Sequence, residues 1–290
     1  MDEKIKEQFS GFDSLQQIEI EKGLKSGVDI SLYAADEFDA AQMKVIRLAL
    51  EAGLDAGRFA KPEYDYMQME ELKNAVSQGK NIDFMCNPAY DYTVMREIRL
   101  SDDEGYDVTE FAKQGFSGAV LRQIRFAMRS DVDITFFVME GYDEYQLNEI
   151  RTGIEHCVDV TRFILHEFNG EQMKQLRLGL ESGVDIDKYG MLGFSSSQME
   201  QVRLGLESGV DVDVYADPFV DALEMEKIRL RLEGKSDDKE LDVLQTKEIL
   251  LGLQHGIDVS VYANAEFDHK KMEKIRVALE KNADVTNLLV

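Results

Sequence analysis

An Ile-Arg pair at residues 46 and 47 recurs along the chain at a fixed interval. Taking its first residue as an anchor, the equivalent positions are Ile20, Ile46, Leu72, Ile98, Ile124, Ile150, Leu176, Val202, Ile228, Ile249 and Ile275. The step is 26 residues eight times, then 21, then 26. Eleven similar units with no linker between them cannot be separate globular domains, because a unit this short cannot bury its apolar face alone. Such units complete their core by stacking on their neighbours.

Each aligned column has a physical reading. Eight positions before the anchor stands an aromatic residue in most units, among them Phe38, Tyr64, Tyr142, Phe168 and Phe194. The next position is Asp, Ser or Asn in all eleven units (Asp13, Asp39, Asp65, Asp91, Ser117, Asp143, Asn169, Ser195, Asp221, Asp242 and Asp268). These are helix N-capping types, and in eight units a Gln or Glu follows three positions later, which spells a capping box. The helix then runs about 13 residues, with apolar positions at −3, 0 and +4 from the anchor on one 3.6-residue face. Position +3 is small in most units, as in Gly23, Ala49, Gly179 and Gly205, which predicts close approach between neighbouring units. Gly at +7, as in Gly53, Gly183 and Gly209, predicts a left-handed helix stop.

A shorter element follows. Position +9 is Asp in ten of eleven units, with Asn81 the exception, and +13 is usually Tyr, Phe, Met or Leu. Asp258-Val-Ser-Val-Tyr-Ala263 reads as an Asp-capped helical turn closed by an aromatic anchor. The expected fold is therefore all-α, an α-solenoid of about eleven 26-residue units, each one long helix plus one short helical turn. Between anchors 228 and 249 five residues are missing, so that Leu241 serves both as the +13 anchor and as the residue before the cap Asp242. That irregularity divides the expected array into residues 1–234, regular, and 235–290, a semi-separate end.

Residues 198–216 carry Gln198-Met199, Val202-Arg203, Gly205-Leu206-Glu207, Gly209-Val210-Asp211-Val212 and Tyr215-Ala216. Their close, Leu-Glu-Ser-Gly-Val-Asp-Val, is similar to the end of an ankyrin repeat, but the period is shorter and the Thr-Pro-Leu-His opening is absent. The stretch more closely resembles short tandem repeats of the form Gln-Met-x-x-Ile-Arg-x-Gly-Leu-Glu-x-Gly-Val-Asp-Val-x-x-Tyr-Ala. Those are found in uncharacterised proteins of anaerobic gut bacteria, often on mobile elements. The resemblance spans nearly the whole chain, is weakest in the units anchored at 72 to 150, and implies no activity.

The chemistry-bearing residues fit architecture first. The paired aspartates, such as Asp185 and Asp187, precede helical turns and cap them, so no metal site is expected. The Arg column at +1 (Arg47, Arg99, Arg125, Arg151, Arg177, Arg203, Arg229 and Arg276) reads as a solvated ladder of ion pairs, since an acid stands four residues on in most units. The four histidines share no column in this reading. No phosphate loop, zinc motif or nucleophile elbow is present, so neither an enzyme nor a cofactor is expected. Two cysteines in 290 residues rule out a disulfide framework. No apolar run is long enough to cross a membrane, and the first residues lack a signal core, so a cytoplasmic location is expected. The formal charge is −24, yet 18 of the 57 acids stand in the two capping columns, which leaves 39 against 33 bases. Most of the imbalance is thus a by-product of capping each unit twice. It still argues against direct binding to nucleic acid or an anionic membrane.

What departs from the plain repeat lies between about residues 64 and 166. Extra aromatics appear at Tyr66, Phe84, Tyr92, Phe136 and Tyr145, next to the column aromatic Tyr142, and Asp102-Asp103-Glu104 interrupts an apolar stripe. Aromatics beside acids mark protein-binding hot spots. The expected function is a non-catalytic repeat protein that binds another protein through its solenoid surface, as a scaffold or stoichiometric inhibitor. The alternative is an acidic nucleic-acid mimic that blocks the basic cleft of a DNA- or RNA-handling enzyme such as a defence nuclease.

Overall fold

A computed structural model describes residues 8–235, 241 and 243–289. Among these the chain is all-helical, with no strand. Eleven long helices carry the eleven anchors. Five lie in a first compact unit, Met1–Met139: α1 (Ser14–Ser26), α2 (Ala40–Glu51), α3 (Tyr66–Ser77), α4 (Tyr92–Asp103) and α5 (Gly118–Arg129). Six lie in a second, Glu140–Val290: α6 (Glu144–Glu155), α7 (Gly170–Glu181), α8 (Ser196–Glu207), α9 (Ala222–Leu232), α10 (Val243–Gln254) and α11 (His269–Glu280). Within each unit every long helix packs on the next in sequence. The expected division at residue 235 rests on a connection of which 236–240 and the cap Asp242 lie outside the described residues.

Caps start the helices as the columns predict. Asp39, Asn169 and Ser195 each accept the backbone N–H three residues on, and the Gln there accepts the capping residue's own N–H. The same reciprocal box closes α1, α3 and α6. The glutamine has a second task that a glutamate could not perform. Its Nε2 donates to the carbonyl of the aromatic column one repeat later: Gln42 to Tyr64 (2.6 Å), Gln146 to Phe168 (2.7 Å), Gln172 to Phe194 (2.8 Å) and Gln245 to Phe267 (2.6 Å). An amide both accepts and donates, so one side chain starts its own helix and fastens the next repeat to it.

The +3 glycines differ from expectation. They make room within a repeat and not between repeats. A methyl group at Gly23, Gly179, Gly205 or Gly252 would overlap the hydroxyl oxygen of Tyr33, Tyr189, Tyr215 or Tyr262 from the same repeat's short turn. That hydroxyl donates to the carbonyl at −1, as from Tyr215 to Gln201 at 3.1 Å. Where +3 is Ala (Ala49, Ala75), the +13 residue has no hydroxyl (Phe59, Met85). Backbones of successive repeats do approach closely, but at the first helical residue. Side chains added at Gly118 or Gly170 would strike the backbones of Thr93 and Tyr145.

Six of the eight ladder arginines are buried, not solvated, and Arg99 and Arg151 are half-buried. Arg47, Arg125, Arg177, Arg203, Arg229 and Arg276 are all buried. Each donates through Nε to a Glu or Gln at −1 of the preceding repeat, 28 residues back: Arg47 to Glu19 (2.8 Å), Arg125 to Glu97 (2.9 Å), Arg177 to Glu149 (2.8 Å) and Arg203 to Gln175 (2.9 Å). Its other end often meets the Glu at +5 of its own helix, as from Arg47 to Glu51 and from Arg203 to Glu207, both at 2.7 Å. The guanidinium thus bridges two repeats, and its apolar stem covers the seam.

The expected caps of the short turns hold in most repeats. Asp29, Asp159, Asp185, Asp211 and Asp258 each accept the N–H two residues on, but Asp55 caps nothing through its side chain. Asp237 lies outside the described residues. In the repeats anchored at 98 and 124 the short turn lengthens into the helices Thr109–Lys113 and Thr135–Glu140. Ala112 and Val138 become the buried anchors there, and the expected Phe111 and Phe137 are only half-buried. The left-handed stop at +7 survives in three repeats that lack glycine there, where Asp131, Cys157 and Asn282 adopt φ of 56°, 58° and 53°; in the repeat anchored at 228 it falls one residue earlier, at Gly234.

Candidate protein-binding surface

In the first unit the lengthened turns open two grooves. The smaller, about 420 Å3, is lined by Phe84, Ile98, Asp102, Gly105, Tyr106, Asp107, Val108 and Thr109. The larger, about 570 Å3, shares Gly105, Tyr106 and Asp107 and continues over Ile124, Ala127, Met128 and Ile134 to Asp131 and Asp133. Both therefore combine apolar side chains with carboxylates. Two of those carboxylates are occupied locally: Asp107 and Asp133 accept the backbone N–H groups of Thr109 and Thr135, each at 2.8 Å. The hydroxyl and N–H of Thr109 hold the Asp107 carboxyl below the usual range, and the N–H and hydroxyl of Thr135 do the same for Asp133. Asp131 differs. Its carboxylate makes no hydrogen bond or ion pair among the described residues, and its backbone is left-handed where most repeats use Gly.

The sequence-predicted residues separate into three groups. Phe84 and Asp102 line the smaller groove. Tyr66 and Phe136 are exposed without lining either groove, Phe136 edge-on to Phe137 with ring centres 5.4 Å apart, and Tyr145, in the second unit, is exposed. Tyr92 and Tyr142 are engaged by their surroundings. Tyr92 is half-buried under the Arg96 guanidinium, 5.3 Å from the ring centre. Tyr142, in the second unit, is buried. Its ring stacks on His166 and its hydroxyl donates to the carbonyl of Ile164 at 2.7 Å.

The acidic run is likewise held within the fold. Asp102 and Asp103 both pair with Lys80, Asp103 at 2.9 Å, and Glu104 pairs with Arg125 at 2.6 Å. Asp102 replaces an apolar +4 residue and Lys80, 22 residues back, replaces an apolar +8 residue, so two departures from the repeat compensate each other. Tyr106, Asp131 and Asp133 line the grooves without standing among the sequence-predicted residues. The signal for two of them lies in the columns: Tyr106 stands where Val28, Val132, Val184 and Val210 recur, and Asp131 where glycine recurs.

Elsewhere the titratable groups serve packing. Burial pushes the Tyr33, Tyr64 and Tyr262 hydroxyls up to about 12 and raises the Cys86 thiol, which makes each a poorer nucleophile. Two of the four histidines, contrary to expectation, occupy one column. His156 and His255, both at +6, meet Glu181 (2.8 Å) and Glu280 (2.6 Å) of the following repeat, where Ser26, Ser182 and Ser208 do the same elsewhere. Among the described residues no three His, Cys, Asp or Glu side chains gather as a metal site, and no helix is long and apolar enough to cross a membrane. No family model, characterised protein or solved structure matches the chain.

Proposed function

We propose that this chain is a non-catalytic helical-repeat protein, an α-solenoid, that binds another protein through the grooves of its first unit. The observation that carries this reading is Asp131. A non-glycine residue in the left-handed region costs on the order of 1 kcal/mol, and glycine at the same position relieves it in most other repeats. Here the cost is incurred beside a partly apolar groove, by a carboxylate with no partner among the described residues. An uncompensated strain of this kind fits a group reserved for a ligand. Tyr106 adds an aromatic at the point the two grooves share, and anchors of that type dominate protein interfaces.

The test is affinity capture from the native cell with partners identified by mass, using wild type, Asp131→Gly with Tyr106→Val, and Lys188→Ala as a control in the second unit. Each groove change installs a residue that other repeats use at that position, so the fold is retained. The partner is expected with wild type and Lys188→Ala and lost with the groove variant. Unchanged capture by the groove variant overturns the reading.

A second reading, mimicry of nucleic acid, is favoured by one observation. The short-turn carboxylates Asp29, Asp55, Asp185 and Asp211 are all exposed and recur at the repeat spacing. The resemblance to repeats of mobile-element proteins is consistent with it. Mimicry requires competition with nucleic acid for one basic partner and steep weakening with salt, whereas a groove interface weakens only slightly.

A further inference from the structure

The second unit exposes large apolar side chains along one edge, where the inter-repeat loops meet the starts of the long helices. Leu165, Met191, Leu192 and Phe219 stand in successive loops, and Tyr145 and Leu223 at the second residue of α6 and α9. Phe219 is 92% exposed and Tyr145 67%. The fold does not require apolar residues there. The first unit places Asp36, Glu37, Lys61 and Glu63 in the same loop columns, and other repeats place Glu171 and Ser197 at the second helical residue.

These side chains share one continuous edge. Tyr145 is in backbone contact with Gly170 at the start of α7, and Gln172 of α7 donates to the carbonyl of Phe194, the end of the Met191–Leu192 loop, at 2.8 Å. Gln198 of α8 donates to the carbonyl of Pro218 at 2.9 Å, and a methyl group at Gly193 would lie 3.3 Å from that proline ring. Charges along the edge are mostly acidic: Glu144, Glu167 and Glu171 are joined by Asp217, and Lys174 is already paired with Glu171. A contiguous exposed apolar surface of this kind marks an interaction site.

We propose that this edge is a second docking surface, for a protein segment that presents apolar side chains among lysines or arginines. Charge decides between occupants. A second copy of a chain with net charge −24 would bring the same acids face to face, and an anionic bilayer would be repelled. A basic, apolar segment is matched on both counts.

The test uses three fluorescent peptides of equal length, two amphipathic (Lys/Leu and Glu/Leu) and one without an apolar face (Lys/Ser), titrated by anisotropy at about 150 mM salt, where long-range attraction is screened. The full chain is compared with Met191→Asn, Phe219→Gly, Leu223→Ser combined, each substitution copied from another repeat. The Lys/Leu peptide is expected to bind wild type about tenfold more tightly than the triple variant. The other two peptides should not distinguish the proteins. Asp131→Gly with Tyr106→Val should leave Lys/Leu binding unchanged, which separates this surface from the grooves. Equal Lys/Leu affinity for wild type and triple variant overturns the proposal. So does self-association in sedimentation, or flotation with vesicles of neutral or anionic lipid, if the triple variant abolishes it.

Discussion

A single hydroxyl explains four of the five glycines at +3; the fifth, Gly153, faces Val160 and the Phe163 ring instead. Tyr33, Tyr189, Tyr215 and Tyr262 reach under their own long helix, and the oxygen occupies the place of a Cβ at +3. Gly205→Ala is therefore expected to cost about 1–3 kcal/mol through overpacking, against the small gain in helix propensity. Adding Tyr215→Phe should recover much of that loss, because Ala49 with Phe59 is the same combination in a native repeat. Urea unfolding of the two single variants and the double variant measures the coupling, and additive effects would refute the account. The same column makes a prediction of opposite sign. Ser101 is fully buried and its hydroxyl has no partner among the described residues, while Ala fills this position in Ala49, Ala75 and Ala127. Ser101→Ala should stabilise by about 1 kcal/mol, and a destabilised variant would show that the hydroxyl is satisfied. Smallness at +3 was legible in the sequence, but its reason was not. A small residue registers that something is near, and only coordinates show whether it comes from the same repeat or the next.

At the scale of the element, the start of each helix was almost fully legible, because capping depends on residues three apart. The fastening of one repeat to the next was not, because it joins residues 22 and 28 apart that share no local pattern. The Gln preference at −4 and the Glu or Gln at −1 were present as columns, yet a column shows recurrence without showing a partner. The grooves are intermediate: Phe84 and Asp102 were found as departures from the repeat, whereas Asp131 was hidden in the glycine column. The fastening can be separated from the cap experimentally. Gln172→Glu keeps the acceptor for the Asn169 N–H but removes the donor to the Phe194 carbonyl and turns a carboxylate toward it. A loss of about 1–3 kcal/mol is expected, the usual cost of a buried group left unpaired. Asn169→Ala should lose about 1 kcal/mol by removing the cap alone. If the glutamate variant unfolds at the wild-type urea concentration, Gln172 acts only in capping.

For the molecule as a whole, the glutamates that meet the arginine ladder make stability depend on pH. Hydrogen bonds from Ser26 and Arg47 hold the Glu51 carboxyl below its ordinary range, and those from His255 and Arg276 do the same for Glu280. At Glu19, Glu181 and Glu233 burial works the other way, but hydrogen bonds outweigh it: from Lys22 and Arg47, from His156 and Arg177, and from Lys235, Arg229 and Ser208. Glu233 falls to about 2, from an ordinary 4.5. A carboxyl with a depressed folded-state value binds fewer protons folded than unfolded between the two values. Its contribution is therefore complete above about pH 4.5 and is lost as pH falls through the folded value, toward about 2 for Glu233. Urea unfolding at about pH 7, 5, 4 and 3 should give similar stability at the first two and a progressive fall below. Glu233→Gln should be less stable than wild type near neutral pH and should show a shallower fall, since one of the titrating groups is gone. Equal slopes in the two proteins would remove Glu233 from the acid response, and a flat wild-type profile across the whole range would remove all five glutamates.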